Sequence, residues 1–153
     1  MSVSVQTAPF DVTAEMAALT SGDRDIGAVV SFTGLVREMT PEGPISEMEL
    51  EHYPGMTERA LEQIVDEARG RWPLQGVRLI HRFGPMAPGE GIVLVLTASR
   101  HRQAAFEAAE FLMDYLKTRA PFWKKEAVHG GNAQWVDARE TDDQAAARWE
   151  KPS

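Results

Sequence analysis

Residues 113–126, MDYLKTRAPFWKKE, hold a helix end, a corner and the start of an extended segment within one short stretch. Proline disfavours helical geometry at the residue before it, so a helix carrying Lys117 should stop near residues 118–120. Past Pro121 the chain resumes with Phe122 and Trp123, followed by Lys124 and Lys125. Lysines are thus set on both sides of a fixed corner with aromatic bulk between them. An ammonium held against apolar surface is desolvated, which lowers its pKa toward the range useful for proton transfer. The plainer alternative makes Lys117 a solvated charge favoured by the C-terminal end of a helix dipole.

Working outward, the helix that ends at this corner begins near residue 102 and is apolar around much of its circumference, a pattern suited to burial on several sides and to a subunit contact. A second long helix is expected over residues 57–72, where Leu61, Ile64, Val65, Ala68 and Trp72 recur at helical spacing and Pro73 closes it. Short helices fit residues 11–19 and 141–149. Strands are expected at 3–6 on an edge, at 26–37 with Gly34 marking a bulge or close approach, at 77–83, and at 92–98 in the sheet centre. Residues 47–52 alternate strictly, with Met48, Leu50 and His52 on one face and Glu47, Glu49 and Glu51 on the other. Residues 38–44, with two prolines and a glycine, read as a loop, and PMAPGEG (85–91) as a turn. Segments 123–128 and 134–138 form a hairpin through Gly130, Gly131 and Asn132. Strands and helices do not alternate regularly, so the expectation is one α+β domain over 1–153 with a mostly antiparallel or mixed sheet and two long helices.

The chain has 153 residues, 43% of them hydrophobic, enough for one self-sufficient core. It contains no cysteine, which excludes disulfides, thiolate metal sites and a cysteine nucleophile. No metal or cofactor is expected. Without a leader or a long apolar run, the expected location is the cytoplasm, with no membrane partner. A net charge of −7 argues against nucleic acid. The charge is nevertheless segregated. Residues 38–67 hold nine acids and one arginine, whereas residues 100–125 hold six basic residues and three acids. A basic patch in an acidic protein suggests a localised anionic ligand, although two solvated helix faces would give the same count.

Familiar constellations are missing. Gly89-Glu90-Gly91 precedes a strand and is a turn, no Walker loop exists, and the histidines lack paired metal-ligand spacing. Ser99 and His101 are too close on a bend to act as nucleophile and base. His52 and His81, in strands, read as ordinary half-buried residues. The remaining candidates are cationic: Arg37 at a strand end, Arg100, His101 and Arg102 at a helix N-terminus, Lys117, Lys124, Lys125 and Arg139. Backbone N–H groups at such a terminus, flanked by Arg and His, attract phosphate. Each of these residues taken alone also fits ordinary surface charge.

The sequence resembles the large, catalytic subunit of molybdopterin synthase. The resemblance is carried by GAVVSFTGLVRE (27–38), LEHYPGMTERALEQIVDEARGRWPL (50–74), IHRFG (80–84), SRHRQAAFEA (99–108), MDYLKTRAPFWKKE (113–126) and WVDARE (135–140). It implies an α/β-hammerhead fold and a homodimer within a heterotetramer, flanked by small ubiquitin-like sulfur carriers. Each carrier's C-terminal Gly-Gly thiocarboxylate supplies sulfur, and two sulfurs convert cyclic pyranopterin monophosphate to the dithiolene of molybdopterin. It further implies Lys117 and Lys124 as the catalytic pair, and Arg37, His101 and Arg102 as ligands of the substrate and its phosphate. Lys125 and Glu126 would adjoin the site, and Arg139 matches a basic position of less defined role. Leu35 departs from a position that is often basic in relatives, Arg100 is an added charge, and the chain's end lacks the Gly-Gly of a fused carrier.

The chemistry and the residues agree. A sulfur transferase without cysteine needs sulfur from outside, a cyclic phosphate suits a local cationic pocket, and the addition steps need proton transfer. The carrier tail should thread a channel lined by neutral and basic groups. Residues 102 and 117 on one helix would be ~22 Å apart at about 1.5 Å per residue. Both ends can serve one substrate only if a homodimer brings His101 and Arg102 of one protomer beside Arg37, Lys117 and Lys124 of the other. Two other classes remain, a homologue that only docks the carrier and an anion-binding regulatory domain. The second would bind phosphate ligands without a Gly-Gly-tailed partner.

Overall fold

The computed structural model describes residues 2–41, 43–128, 133–136 and 140–150. Arg139 and the expected turn at 130–132 lie outside the described residues, as does the side chain of Glu126. Two sheets and four helices make a mixed α+β architecture. The first sheet has the order β1 (Val3–Gln6), β5 (Leu74–Arg82), β7 (Gly91–Ser99) and β2 (Ala28–Leu35). β1 pairs parallel to β5, and the other pairings are antiparallel. As its uninterrupted apolar run requires, β7 is central, with Leu94, Val95 and Leu96 fully buried. One face packs on α2 (Met56–Arg71) and α3 (Arg102–Arg119), through Leu61, Ile64, Val65, Phe111, Leu112 and Tyr115. The other face carries α1 (Val12–Thr20), whose Met16 and Leu19 lie on Ile80, Leu94 and Leu96.

The second sheet has the order β3 (Met39–Thr40), β4 (Gly43–His52), β8 (Phe122–Val128) and β9 (Ala133–Val136), with β6 (Gly84–Met86) also on β4. α4 (Glu140–Ala147) and a 3-10 turn follow, and Trp149 donates from Nε1 to Asp114 on α3 at 2.7 Å. Two sequence expectations are corrected. The segment 38–44 is largely a tight hairpin: Met39 pairs with Pro44 and Thr40 with Gly43, and Gly43 adopts φ 118°, a region that favours glycine. The turn expected at 85–91 likewise overlaps a short strand, because Met86 finds Met48 across from it on β4. Both Met48 and Met86 are buried in a small core with Val36, Ile45 and Leu50.

α3 is buried on one broad side only, through Ala105, Ala108, Ala109, Phe111, Leu112, Tyr115 and Leu116, while Phe106 is exposed. Its last turn meets the second sheet at Pro121. The Phe122 amide donates to the Ala120 carbonyl at 2.9 Å, a γ-type turn that converts helix to strand in one residue.

Candidate active site

Three elements converge where the two sheets meet. The end of β2, the last turn of α3 and the start of β8 enclose a cavity of about 350 Å³. Arg37, Lys117 and Lys124 line it together with an apolar wall that includes Met48, Leu50, Val93, Leu116 and Phe122. Among its described lining residues there is no carboxylate. The described acids of residues 38–67 do not line it.

Each cation is placed by its backbone. β2 bulges between Gly34 and Leu35, where an added Cβ on Gly34 would stand 2.7 Å from Val93 Cγ1. Beyond the bulge, the Val36 amide donates to the Glu90 carbonyl at 2.9 Å and the Gly89 amide to the Val36 carbonyl at 2.8 Å. The Ile45 amide donates to the Glu38 carbonyl at 2.8 Å. Arg37 is thus held between two pinned neighbours. Lys117 follows buried Tyr115 and Leu116, so helix phase brings it to the cavity rim. There its side chain is exposed, where the sequence had suggested desolvation, because only one side of α3 is covered in the single chain. Lys124 is half-buried and pairs across β4 with Leu50, on the face that bears the small core. Lys125 pairs with Glu49 on the opposite face and does not line the cavity. Glu126 pairs in backbone register with Met48.

His101 and Arg102 are elsewhere. His101 is the N-cap of α3, and both residues line a separate shallow depression with Gln103, Phe106 and Glu107. Ser99 Oγ donates to the His101 carbonyl, so this serine secures the helix start and is not paired with the imidazole. Thr97 Oγ1 donates to the Ala105 carbonyl at 2.7 Å from the same side. Arg100 faces Asp25 at 3.7 Å in an exposed pair. One chain therefore brings together Arg37, Lys117 and Lys124 and leaves His101 and Arg102 at the far end of an 18-residue helix.

His81, read from sequence as an ordinary half-buried residue, is 5% exposed and lines the cavity. Its ring stacks on Phe122 with centroids 3.8 Å apart. Burial lowers its pKa from 6.5 to about 4, and the charges of Lys117 and His52 add to the effect, so it is neutral at physiological pH. β5 is buried on both faces along most of its length, so alternation offered no signal that His81 faces a cavity.

Over residues 5–119 the sequence matches the family described as MoaE protein. The chain belongs to the MoaE family. It is 60% identical over 152 residues to the molybdopterin synthase catalytic subunit of Mesorhizobium japonicum, spanning 99% of this chain and 94% of that one. It is 57% identical to the catalytic subunit of Escherichia coli, over 92% of this chain and 93% of the relative. A solved MoaE protein from Burkholderia ambifaria superposes with a TM-score of 0.84 at 51% identity, covering 99% of both chains. These MoaE relatives match over nearly their full length, so the cavity, the second sheet and α3 all belong to the shared fold. Among the described residues no helix is long and apolar enough to cross a membrane.

Proposed function

We propose that this chain is the sulfur-transferring subunit of a molybdopterin synthase, acting in the cytoplasm. It takes sulfur from the C-terminal Gly-Gly thiocarboxylate of a small ubiquitin-like carrier and delivers two sulfur atoms to cyclic pyranopterin monophosphate, giving the dithiolene. The observation that carries this reading is the convergence of Arg37, Lys117 and Lys124 on one cavity, with no carboxylate among its described lining residues, in a chain without cysteine. Such a chain must receive its sulfur from outside, and a thiocarboxylate tail is an anion that these three cations attract. Its glycines suit a narrow passage, where a Cβ would collide with lining side chains.

In this reading Lys117 and Lys124 move protons and stabilise charge during the two additions, and Arg37 holds substrate. The phosphate falls to His101 and Arg102, where a helix N-terminus adds its own N–H groups. Those residues come from the other protomer of a homodimer, since one chain separates them from Lys117 by most of α3. Glu126 and Arg139 are carried as neighbours of the site by the family motif alone. Lys125 is carried the same way, although its strand face turns from the cavity.

The test is reconstitution. Purified protein, thiocarboxylated carrier and cyclic pyranopterin monophosphate should yield a dithiolene-bearing product, and a carrier without its terminal glycines should yield none. A protein that binds the carrier but never forms the dithiolene, or one that still takes sulfur from the truncated carrier, would overturn the proposal.

A further inference from the structure

Among the described titratable side chains lining the cavity, His81 is the one the proposed chemistry leaves unused. Its surroundings fix its chemistry closely. Nδ1 lies 2.9 Å from the carbonyl oxygen of Arg82, and a carbonyl can only accept, so Nδ1 carries the proton. The ring is held neutral by burial first and by the charge of Lys117 from α3, while His52 on β4 and Lys124 on β8 also face this region. A neutral imidazole protonated at Nδ1 has a bare lone pair at Nε2. One face of the ring is covered by Phe122 and Nδ1 is turned to the backbone, so Nε2 is the polar atom His81 has left to offer the cavity.

That atom is chemically unlike its neighbours. Arg37, Lys117 and Lys124 present only donors. A further cation would suit an anion pocket, yet this position is kept neutral and accepting. Lys117 lines the same cavity as His81, its charge acts on the imidazole, and its ammonium sits on a flexible four-carbon stem. We propose that His81 is a positioning residue, its Nε2 accepting a hydrogen bond from the Lys117 ammonium and holding that nitrogen over the cavity instead of out in solvent. The role rests on the sulfur-transfer reading for its consequence, while the contact itself does not.

Two variants separate this role from simple packing. His81→Phe keeps a ring to stack on Phe122 and deletes the acceptor. His81→Gln loses the ring but places an amide oxygen near the position of Nε2. Misplacing a reacting group by about 1 Å costs on the order of 10²-fold in rate. His81→Phe should therefore lower kcat for dithiolene formation by roughly 10–100-fold with little change in KM, and His81→Gln should recover part of it. In protein carrying 15N-labelled lysine, with the Lys117 signal assigned by Lys117→Ala, Nζ should titrate at lower pH in His81→Phe than in wild type. A fully active His81→Phe, a Gln variant worse than the Phe variant, or an unmoved Lys117 titration would each overturn the proposal. If wild type itself forms no dithiolene, the sulfur-transfer reading fails, and the lysine titration still decides the contact.

Discussion

Lys117 can be removed without touching what holds its helix in place, because that anchorage lies with Tyr115 and Leu116 on the buried side. Lys117→Ala should therefore unfold at nearly the same denaturant concentration as wild type and leave carrier binding largely intact. Its sulfur transfer should fall by the ~10²–10⁴-fold typical of a lost acid–base group. Lys124 and Lys125 part company in the same assay: Lys124→Ala should be far the more damaging, since its β4 partner is buried Leu50 while that of Lys125 is Glu49. A Lys125→Ala variant worse than Lys124→Ala would mean that the strand presents its other face to substrate. His81 gives a prediction in pH. Its pKa is about 4 in the fold against 6.5 for a free histidine. Between those values the unfolded chain binds a proton that the folded chain refuses, so stability rises with pH across that window. Stability should begin to fall as pH drops through 6.5 and level off below 4 as far as this group is concerned. The loss is roughly 3 kcal/mol at about 1.36 kcal/mol per pH unit. Urea unfolding at pH 7, 5.5 and 4 should show this slope in wild type and a shallower one in His81→Phe.

At the scale of elements, the chain wrote some of its structure plainly and left other parts to tertiary contact. The end of α3 was legible because Pro121 enforces it, and β7 because an unbroken apolar run has to be central. Strict alternation in β4 gave its buried face, and Gly34 announced its bulge. The hairpin at 39–44 and the short β6 were not legible, since each exists only because β4 offers a partner and neither has a run long enough to show a period. Cations at chain punctuation that line the cavity, such as Arg37 after β2 and Lys117 before Pro121, could be picked out as candidates. His81 could not, because a strand buried on both faces shows no parity. Gly34 turns this into an experiment. A methyl there would collide with Val93 on β7, and overpacking of this kind costs about 1–3 kcal/mol. Gly34→Ala should lower the denaturant midpoint and, by displacing the bulge that leads to Arg37, weaken substrate binding. Adding Val93→Ala makes room for the methyl and should restore a share of the binding even though it removes buried volume. Should the double variant bind no better than Gly34→Ala alone, the bulge is not what sets Arg37.

At the scale of the molecule, the two cationic regions are separated by the length of α3. A rigid helix of 18 residues cannot fold back, and ~1.5 Å per residue keeps its ends too far apart for one pterin to bridge. Either the two regions serve different ligands, or a second copy closes the gap. The exposed Phe106 beside His101 and Arg102, and the exposed Phe32, Leu35 and Met39 around the cavity, favour the second. Each cationic region carries an apolar rim that water alone would leave unsatisfied. A two-fold axis that applied one rim to the other would form two equivalent sites, each with His101 and Arg102 from one protomer and Arg37, Lys117 and Lys124 from the other. Complementation follows directly. A protein with both His101→Ala and Arg102→Ala should be inactive, as should Lys117→Ala. When the two are co-expressed and mixed dimers isolated by differential tags, one site collects both defects and the other collects none. Activity should return to about half the wild-type value per dimer. Two ligand sets serving separate purposes within each chain would instead leave the mixed dimer as inactive as its parents, and that result would sink the shared site.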